Sequence, residues 1–351
     1  MAGNLRLTKF KDVDLSDSFF DSLKKQYIGF EDWFASKANE PAYVVDDPDI
    51  GGLRGFVYLK IEEGAIDDVQ PVLPPAKRIK VGTFKIIAHG TKLGERVIKK
   101  IFDHAVGAGA KEIYVTVFDT HNSLIKLFKK YGFVEHGKKT TKNGTELVLL
   151  RSLETMNGDI LKDYPRVKCG GKKKWLLAIY PEHHTKLFPD SILNTEHPNI
   201  IEDVSHTNAI HKAYVAKLFL TRMKKGDVVV IYRTTDVAGR ARFRSVVTSV
   251  CVVEETKSRK DFRNADDFIN YTLPHSVFSE DELRQWYDGD DRLYVVRMMY
   301  NAAFRKRTIR GTLLDEVRIS EHPRWDLREL TNEQFAQIMQ LGQVNEGIIV
   351  D

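Results

Sequence analysis

From residue 5 to residue 151 the apolar positions recur with two spacings, close to every second residue in some stretches and every third or fourth in others, and the stretches alternate along the chain. The pattern predicts a helix over 17–27 and short strands over 42–45 and 55–62, separated by the turn-rich DDPDIGG. Segment 67–75, DDVQPVLPP, carries three prolines, and a proline has no N–H for a sheet ladder, so it reads as a surface loop before a strand over 78–88. Next, Leu93, Val97, Ile98, Ile101, Phe102 and Ala105 share one helical face, and Gly107 and Gly109 stop that helix. EIYVTVFD is then a strand, residues 122–130 a helix ended by Tyr131-Gly132-Phe133, and residues 146–151 a closing strand. This alternation is the sequence form of an α/β or α+β layer.

Periodicity lapses over residues 154–172, which hold three glycines, a proline and a basic run. They read as a linker between a domain over 1–153 and a second over 173–351. In the second, WLLAIYP, DVVVIYRT, RFRSVVTSVCVVEE and RLYVVRMMY read as strands, and SHTNAIHKAYVAKLFLTRMKKGD as a helix ended at Gly226. Further helices are expected near 278–287 and 331–341.

The 351 residues exceed the roughly 150 of one ordinary domain, which agrees with two. No window approaches the roughly 18 apolar residues of a membrane span, and MAGNLRLTKFKDVDL lacks the apolar stretch of a secretory signal, so no membrane partner and a cytoplasmic location are expected. Cys169 and Cys251 are too few for a disulfide framework or a zinc ribbon. The net charge of +5 is small, but it is unevenly spread: residues 160–263 hold 20 Lys and Arg against 11 Asp and Glu, residues 264–351 hold 10 against 16. The middle of the chain is therefore its basic part.

Strand, glycine-bearing loop and helix over 78–108 form a phosphate cradle in outline, because N–H groups at a helix start point at an anion and the helix dipole adds to them. The same turn also serves as plain capping. The order of elements over residues 5–151 resembles the GCN5-related N-acetyltransferase family. In that family's pyrophosphate loop, an Arg or Gln, two residues, Gly, one residue, Gly, His89 stands for the first position, Lys92 for the first Gly and Gly94 for the second, while Gly90 and Leu93 suit its common form. Asn122, with Gly132 and Phe133, matches the second landmark. The resemblance implies acetyl-CoA as cosubstrate, held by the loop, by Asn122 and Phe128, and by the backbone of Ile86, Ile87 and Ala88. It also implies direct attack of an amine on the thioester. The family's frequent general acid, a tyrosine four residues before that Gly, is Phe128 here, and Tyr131 is the nearest other phenol. Asp119, His121 and Glu62 or Glu63 are candidate proton acceptors; Asp119 also fits a helix cap and His121 a solvated loop residue.

The second half resembles the PUA-like superfamily in the broad sense that includes ASCH and EVE domains, a small β-barrel with flanking helices, through KWLLAIYP, KKGDVVVIYRT, RSVVTSVCVVEE and RLYVVRMMY. The GxKxxExR signature of many ASCH domains is absent after the first strand. Such barrels commonly bind RNA. Arg222, Lys224, Lys225, Arg233, Arg240, Arg242 and Arg244 crowd one stretch with Tyr232 and Phe243 between them, a mixture suited to phosphate contact and base stacking. A strand whose basic residues simply face water gives the same pattern. His183, His184, His197, His206 and His211 match no metal spacing and read as surface residues. The reading is an acetyltransferase whose amine acceptor is RNA-linked, such as the α-amino group of an aminoacyl-tRNA in the manner of acetyltransferase toxins, with a protein antitoxin or a second copy as possible partners. The alternatives are transfer to protein or small amines, and a non-catalytic acyl-CoA-sensing regulator that binds nucleic acid.

Overall fold

The computed structural model describes residues 5–46, 51–87, 92–191, 209–289, 292–322 and 324–351, and the chain divides into two units, residues 1–163 and 164–351. Ala88, His89, Gly90, His197 and His206 lie outside the described residues.

The first unit runs β1 (Leu5–Lys9), α1 (Asp21–Gln26), α2 (Phe30–Ser36), β2 (Pro41–Asp46), β3 (Leu53–Ile66), β4 (Leu73–Ile86), α3 (Leu93–Ala108), β5 (Glu112–Val117), α4 (Asn122–Lys130), β6 (Val134–Thr141) and β7 (Gly144–Ser152). Its sheet has the order β1-β2-β3-β4-β5-β7-β6. All pairs are antiparallel except β4 with β5, whose parallel alignment requires the crossover that α3 supplies. The expected α/β layer is thus present; β1 and α2 were not anticipated, and the helix expected over 17–27 is α1 alone, over Asp21–Gln26. Phe10, Phe20, Phe34 and Phe56 pack ring against ring where α1 and α2 cover the sheet. On α3 the predicted face is the buried one, including Val97, Ile98, Ile101 and Phe102, each worth roughly 1.5–3 kcal/mol.

Three expectations are corrected here. Segment 67–75 is more than a loop: Val69 and Leu73 are buried against Tyr114 and Val148, and β4 begins at Leu73. Pro74 and Pro75 fit because the β3–β4 register shifts between Gly64 and Ile66, opposite these two residues, where the ladder asks for no donor. Gly107 sits inside α3, and Gly109 alone, at φ +64°, caps it. The strand β6 was not anticipated, because its KKTT stretch is the polar, half-exposed run of a sheet edge.

Within the first unit, residues 153–163 close over Gly132, whose φ is +82° and where an added Cβ would lie 2.3 Å from the Lys162 carbonyl oxygen. The Asp163 carboxylate accepts from the Gly158 N–H at 2.9 Å.

The second unit comprises β8 (Val167–Lys168), β9 (Lys174–Ile179), α5 (Pro181–Leu187), β10 (His211–Ala216), β11 (Val228–Arg233), α6 (Ala241–Arg244), β12 (Val246–Ser258), α7 (Ala265–Thr272), α8 (Glu280–Gly289), β13 (Tyr294–Ile309), α9 (Arg310–Asp315), β14 (Leu327–Leu330), α10 (Asn332–Leu341) and β15 (Ile349–Val350). Six strands form a sheet of order β10-β13-β12-β11-β9-β14, and β15 pairs with β8. Of the helix expected over 205–227, the described residues 209–227 form none beyond a short turn at Leu220–Arg222. His211–Ala216 is instead the strand β10, every residue of which is buried, and a strand buried on both faces shows no alternation to separate it from a buried helix. Likewise Arg242 and Arg244 belong to the short helix α6, not to a strand, and β12 begins only at Val246.

Candidate functional site

The parallel pairing of β4 with β5 runs from Arg78 opposite Glu112 to Val81 opposite Val115 and stops, although both strands continue. At that point β4 is bulged: its register against β3 shifts between Tyr58 and Leu59. Gly82 fills the bulge because a Cβ there would lie 2.8 Å from the Tyr58 ring. A bulge bends its strand, and the two strands diverge around a groove of about 1320 Å³. Residues 82–86 of β4 and 115–117 of β5 line it, with the starts of α3 and α4 at one end. On its groove side β4 offers backbone groups with no strand to pair with.

At the α3 end, Ile86, Lys92, Gly94 and Asn122 line the groove. The helix has sixteen residues, and its first N–H groups lack intrahelical partners. Gly94 has a second reason to be glycine: a Cβ would lie 3.0 Å from Leu127 Cδ2 and 3.4 Å from Ile86 Cδ1. Other expected contacts are corrected. Ile87 packs on the α1–α2 cluster and Leu93 is buried in the core, neither lining the groove. Phe128 is fully buried, its ring 5.5 Å from that of Phe84 and 4.8 Å from that of Phe133. Tyr131 is fully buried too and does not reach the groove, which removes it as a proton donor there.

Of the proposed proton acceptors, Asp119 is exposed off the groove, and Glu63 faces outward toward Lys77. His121 lines the groove with Nε2 3.0 Å from Gln26 Nε2 of α1. Glu62 lies on the groove floor, because residues 58, 60 and 62 of β3 point to one face. Its Oε1 is 2.9 Å from Lys60 Nζ and 3.9 Å from Lys80 Nζ, and the Tyr114 hydroxyl donates a short hydrogen bond to its Oε2. Burial pushes the Glu62 carboxyl up, but Tyr114, Lys60 and Lys80 together hold it below its ordinary value. Burial pushes the Lys80 ammonium down, a shift that Glu62 only partly offsets. The Tyr58 hydroxyl is buried beside them without a hydrogen-bond partner among the described residues. Neither Tyr58, Lys80 nor Tyr114 carried a sequence signal beyond strand alternation.

The opposite end is roofed. The Tyr27 hydroxyl donates to Glu146 Oε1 at 3.1 Å, and the Ile28 N–H to Asn143 Oδ1 at 2.9 Å, so the α1–α2 loop is tied to the β6–β7 hairpin. Burial first, then Glu146, raises the Tyr27 phenol and keeps it protonated.

In the second unit the basic stretch is broken up. Tyr232 is 2% exposed with its ring 5.3 Å from that of Trp325, and Arg233 is 3% exposed; neither is open to a base or a phosphate. Arg242 is held by Asp315 at 2.6 Å and Arg244 by Asp236 at 2.7 Å, the latter guanidinium drawing the Asp236 carboxyl down to about 2. Arg222 is exposed, its guanidinium 5.0 Å over the Trp175 ring, and Lys224, Lys225 and Arg240 are exposed. Two of the histidines expected at the surface are buried: His184, with Nε2 2.8 Å from Thr248 Oγ1, and His211, with Nδ1 2.8 Å from Glu254 Oε1. No helix among the described residues is long and apolar enough to cross a membrane.

The sequence matches no protein-family model, and no curated protein matches it. Among solved structures, 48% of the chain superposes on 95% of ASCH from Zymomonas mobilis, with 12% identity and a TM-score of 0.33. Another superposition covers 42% of the chain and 86% of Chaetomium thermophilum Naa20 in complex with a bisubstrate analogue, with 16% identity and a TM-score of 0.32. Arabidopsis thaliana NAA60 in complex with a bisubstrate analogue is matched over 42% of this chain and 95% of its own, with 15% identity and a TM-score of 0.31.

Proposed function

We propose that the first unit is an acetyl-CoA-dependent N-acetyltransferase. The observation that carries the reading is the divergence of β4 from β5, which opens a groove with a helix start at one end and the Glu62, Tyr114 and Lys80 cluster on its floor. The start of α3 and Lys92 hold the diphosphate, and the free edge of residues 82–86 holds the amide groups of the arm. Acetyl-CoA supplies an activated thioester carbonyl. Glu62, ionised at neutral pH, takes the proton of the acceptor ammonium directly or through water, while Lys60 and Tyr114 keep its carboxylate in place. Where α4 passes the groove its ring is the buried Phe128, so that turn offers no acid, and a thiol of pKa about 8.5 leaves without one.

The experiment is calorimetric titration of the protein with acetyl-CoA, followed by incubation with labelled acetyl-CoA and small amines, total RNA, charged tRNA or lysate protein. Saturable binding and label in one fraction support the reading. Absence of both overturns it, and binding without transfer to any fraction favours the acyl-CoA-sensing regulator.

A second, finer reading keeps the acceptor on RNA, with the second unit as its binding module. It is supported by the exposed Arg222, Lys224, Lys225 and Arg240 and the exposed ring of Phe243, and weakened by the burial of Tyr232 and Arg233 and the carboxylates on Arg242 and Arg244.

A further inference from the structure

Resting on the acetyltransferase reading of the groove, we propose that its acceptor is a small primary amine that also carries a carboxylate or a phosphate. Lys80 precedes Ile86 by six residues of extended chain, on the order of 20 Å at about 3.3 Å per residue, so it lies far from the end where α3 starts. The groove is also lined by Lys37, Lys60, Lys139 and Lys142; of its lining carboxylates, Glu95 on α3 is paired with Lys130, which leaves Glu62 and Glu146.

Those two carboxylates do not neutralise the lysines. Lys60 and Lys80 are directly opposite one another in the antiparallel β3–β4 pair, an arrangement of like charges that costs stability. Glu62 is the one carboxylate spanning both, at 2.9 and 3.9 Å. Glu146 accepts from the neutral Tyr27 phenol instead of from a lysine. Lys139 is paired with Asp68, whereas Lys37, half-buried, and Lys142 form no ion pair among the described residues. The low position of the Lys80 ammonium accords with this excess, since Lys139 and Lys60 both add to the effect of burial. An excess of ammonium groups lining one groove favours an anion of the ligand. Lys92 precedes the first residue of α3, and Lys85 is turned to the Phe19 carbonyl and the Ser22 hydroxyl, so phosphates bound at the α3 start leave the other lysines uncompensated. Size follows from the walls: Trp33 and Tyr58 line the space, and the Tyr27 to Glu146 and Ile28 to Asn143 bonds close it on the hairpin side. An amine attached to a small anion places its nitrogen at Glu62 and its charge among the lysines.

The test uses the full chain with saturating acetyl-CoA and matched acceptors: O-phosphoethanolamine against ethanolamine, and 4-aminobutanoate against 4-aminobutanamide. At least one anionic member should exceed its neutral partner tenfold or more in kcat/KM, and which pair responds distinguishes phosphate from carboxylate. Lys37→Gln and Lys142→Gln should each reduce that preference severalfold, through KM, while CoA affinity measured by calorimetry stays the same. Equal or better transfer to the neutral partners overturns the inference and leaves the acetyltransferase reading standing. Transfer confined to RNA or protein, or CoA binding without transfer to any of the four amines, also overturns it. Absence of both CoA binding and transfer removes the two readings together.

Discussion

The ring of Phe128 meets that of Phe84 at 63°, with centroids 5.5 Å apart, so the turn of α4 nearest the groove is joined to β4 by an aromatic contact. Phe133 approaches Phe128 from another side and Phe102 of α3 approaches Phe133, which makes a chain of four rings from helix to sheet. A side chain so enclosed is committed to packing and is closed to proton transfer.

Phe128→Tyr is therefore expected to destabilise the first unit without raising turnover. Its hydroxyl would enter a closed apolar site, and an unsatisfied buried hydroxyl costs about 1–3 kcal/mol. Thermal melts and initial rates measured together check this; a variant as stable as the parent and faster would show that the ring faces the groove.

Glu62→Gln should lower kcat by about 10²–10⁴, the usual contribution of a positioned base. Because Tyr114, Lys60 and Lys80 hold the Glu62 carboxyl below its ordinary value, it stays ionised into mildly acid solution, and the acid limb of the rate profile is expected below the ordinary glutamate value. Tyr114→Phe removes a donor that favours the charged form and should move that limb to higher pH. A pH profile of kcat/KM for both variants decides the matter, and an unmoved limb would assign it to another group.

In the second unit, burial above all, with Arg233 and Arg307 adding to it, pushes the His184 imidazole from 6.5 down to about 3. An unfolded chain binds a proton there below pH 6.5 and the folded chain does not, so stability is intact above 6.5 and declines as pH falls from 6.5 toward 3. The decline is at most about 1.4 kcal/mol per pH unit for one proton. Urea midpoints followed from neutral to mildly acid pH should slope less in His184→Gln than in the parent.

If the second unit binds RNA, joint replacement of Lys224, Lys225 and Arg240 by Ala should reduce the salt dependence by roughly 0.7–0.9 per lost phosphate contact. Arg242→Ala and Arg244→Ala should change it less, since both guanidinium groups already face carboxylates. Tyr232→Ala should act on folding, with a loss of a few kcal/mol typical of a large buried ring, and not through base stacking. Filter binding across a salt series, with a melt for each variant, separates these outcomes.

What could be read in advance was local. The helix over 122–130 and the buried face of α3 follow from periodicity within a dozen residues, and both are present as expected. The Glu62 and Tyr114 pair was only partly legible: Glu62 could be named from its place near a strand end, but Tyr114 is 52 residues away in sequence and meets it only through sheet register. Strand β10 misled because burial on both faces erases alternation. Tyr232 and Arg233 resembled a binding strip because composition does not say which face of a strand another element covers; the Trp325 ring that covers Tyr232 comes from far along the chain.

Gly132 also bears on how this protein should be cut for study. With the Lys162 carbonyl seated over the bare α-carbon that ends α4, a fragment stopped where the sheet ends, at Ser152, loses the segment that packs on this corner, including the loop gathered by Asp163. Excision after residue 163 keeps that corner intact, whereas excision at the last strand would produce a frayed fragment whose poor behaviour says nothing about the groove.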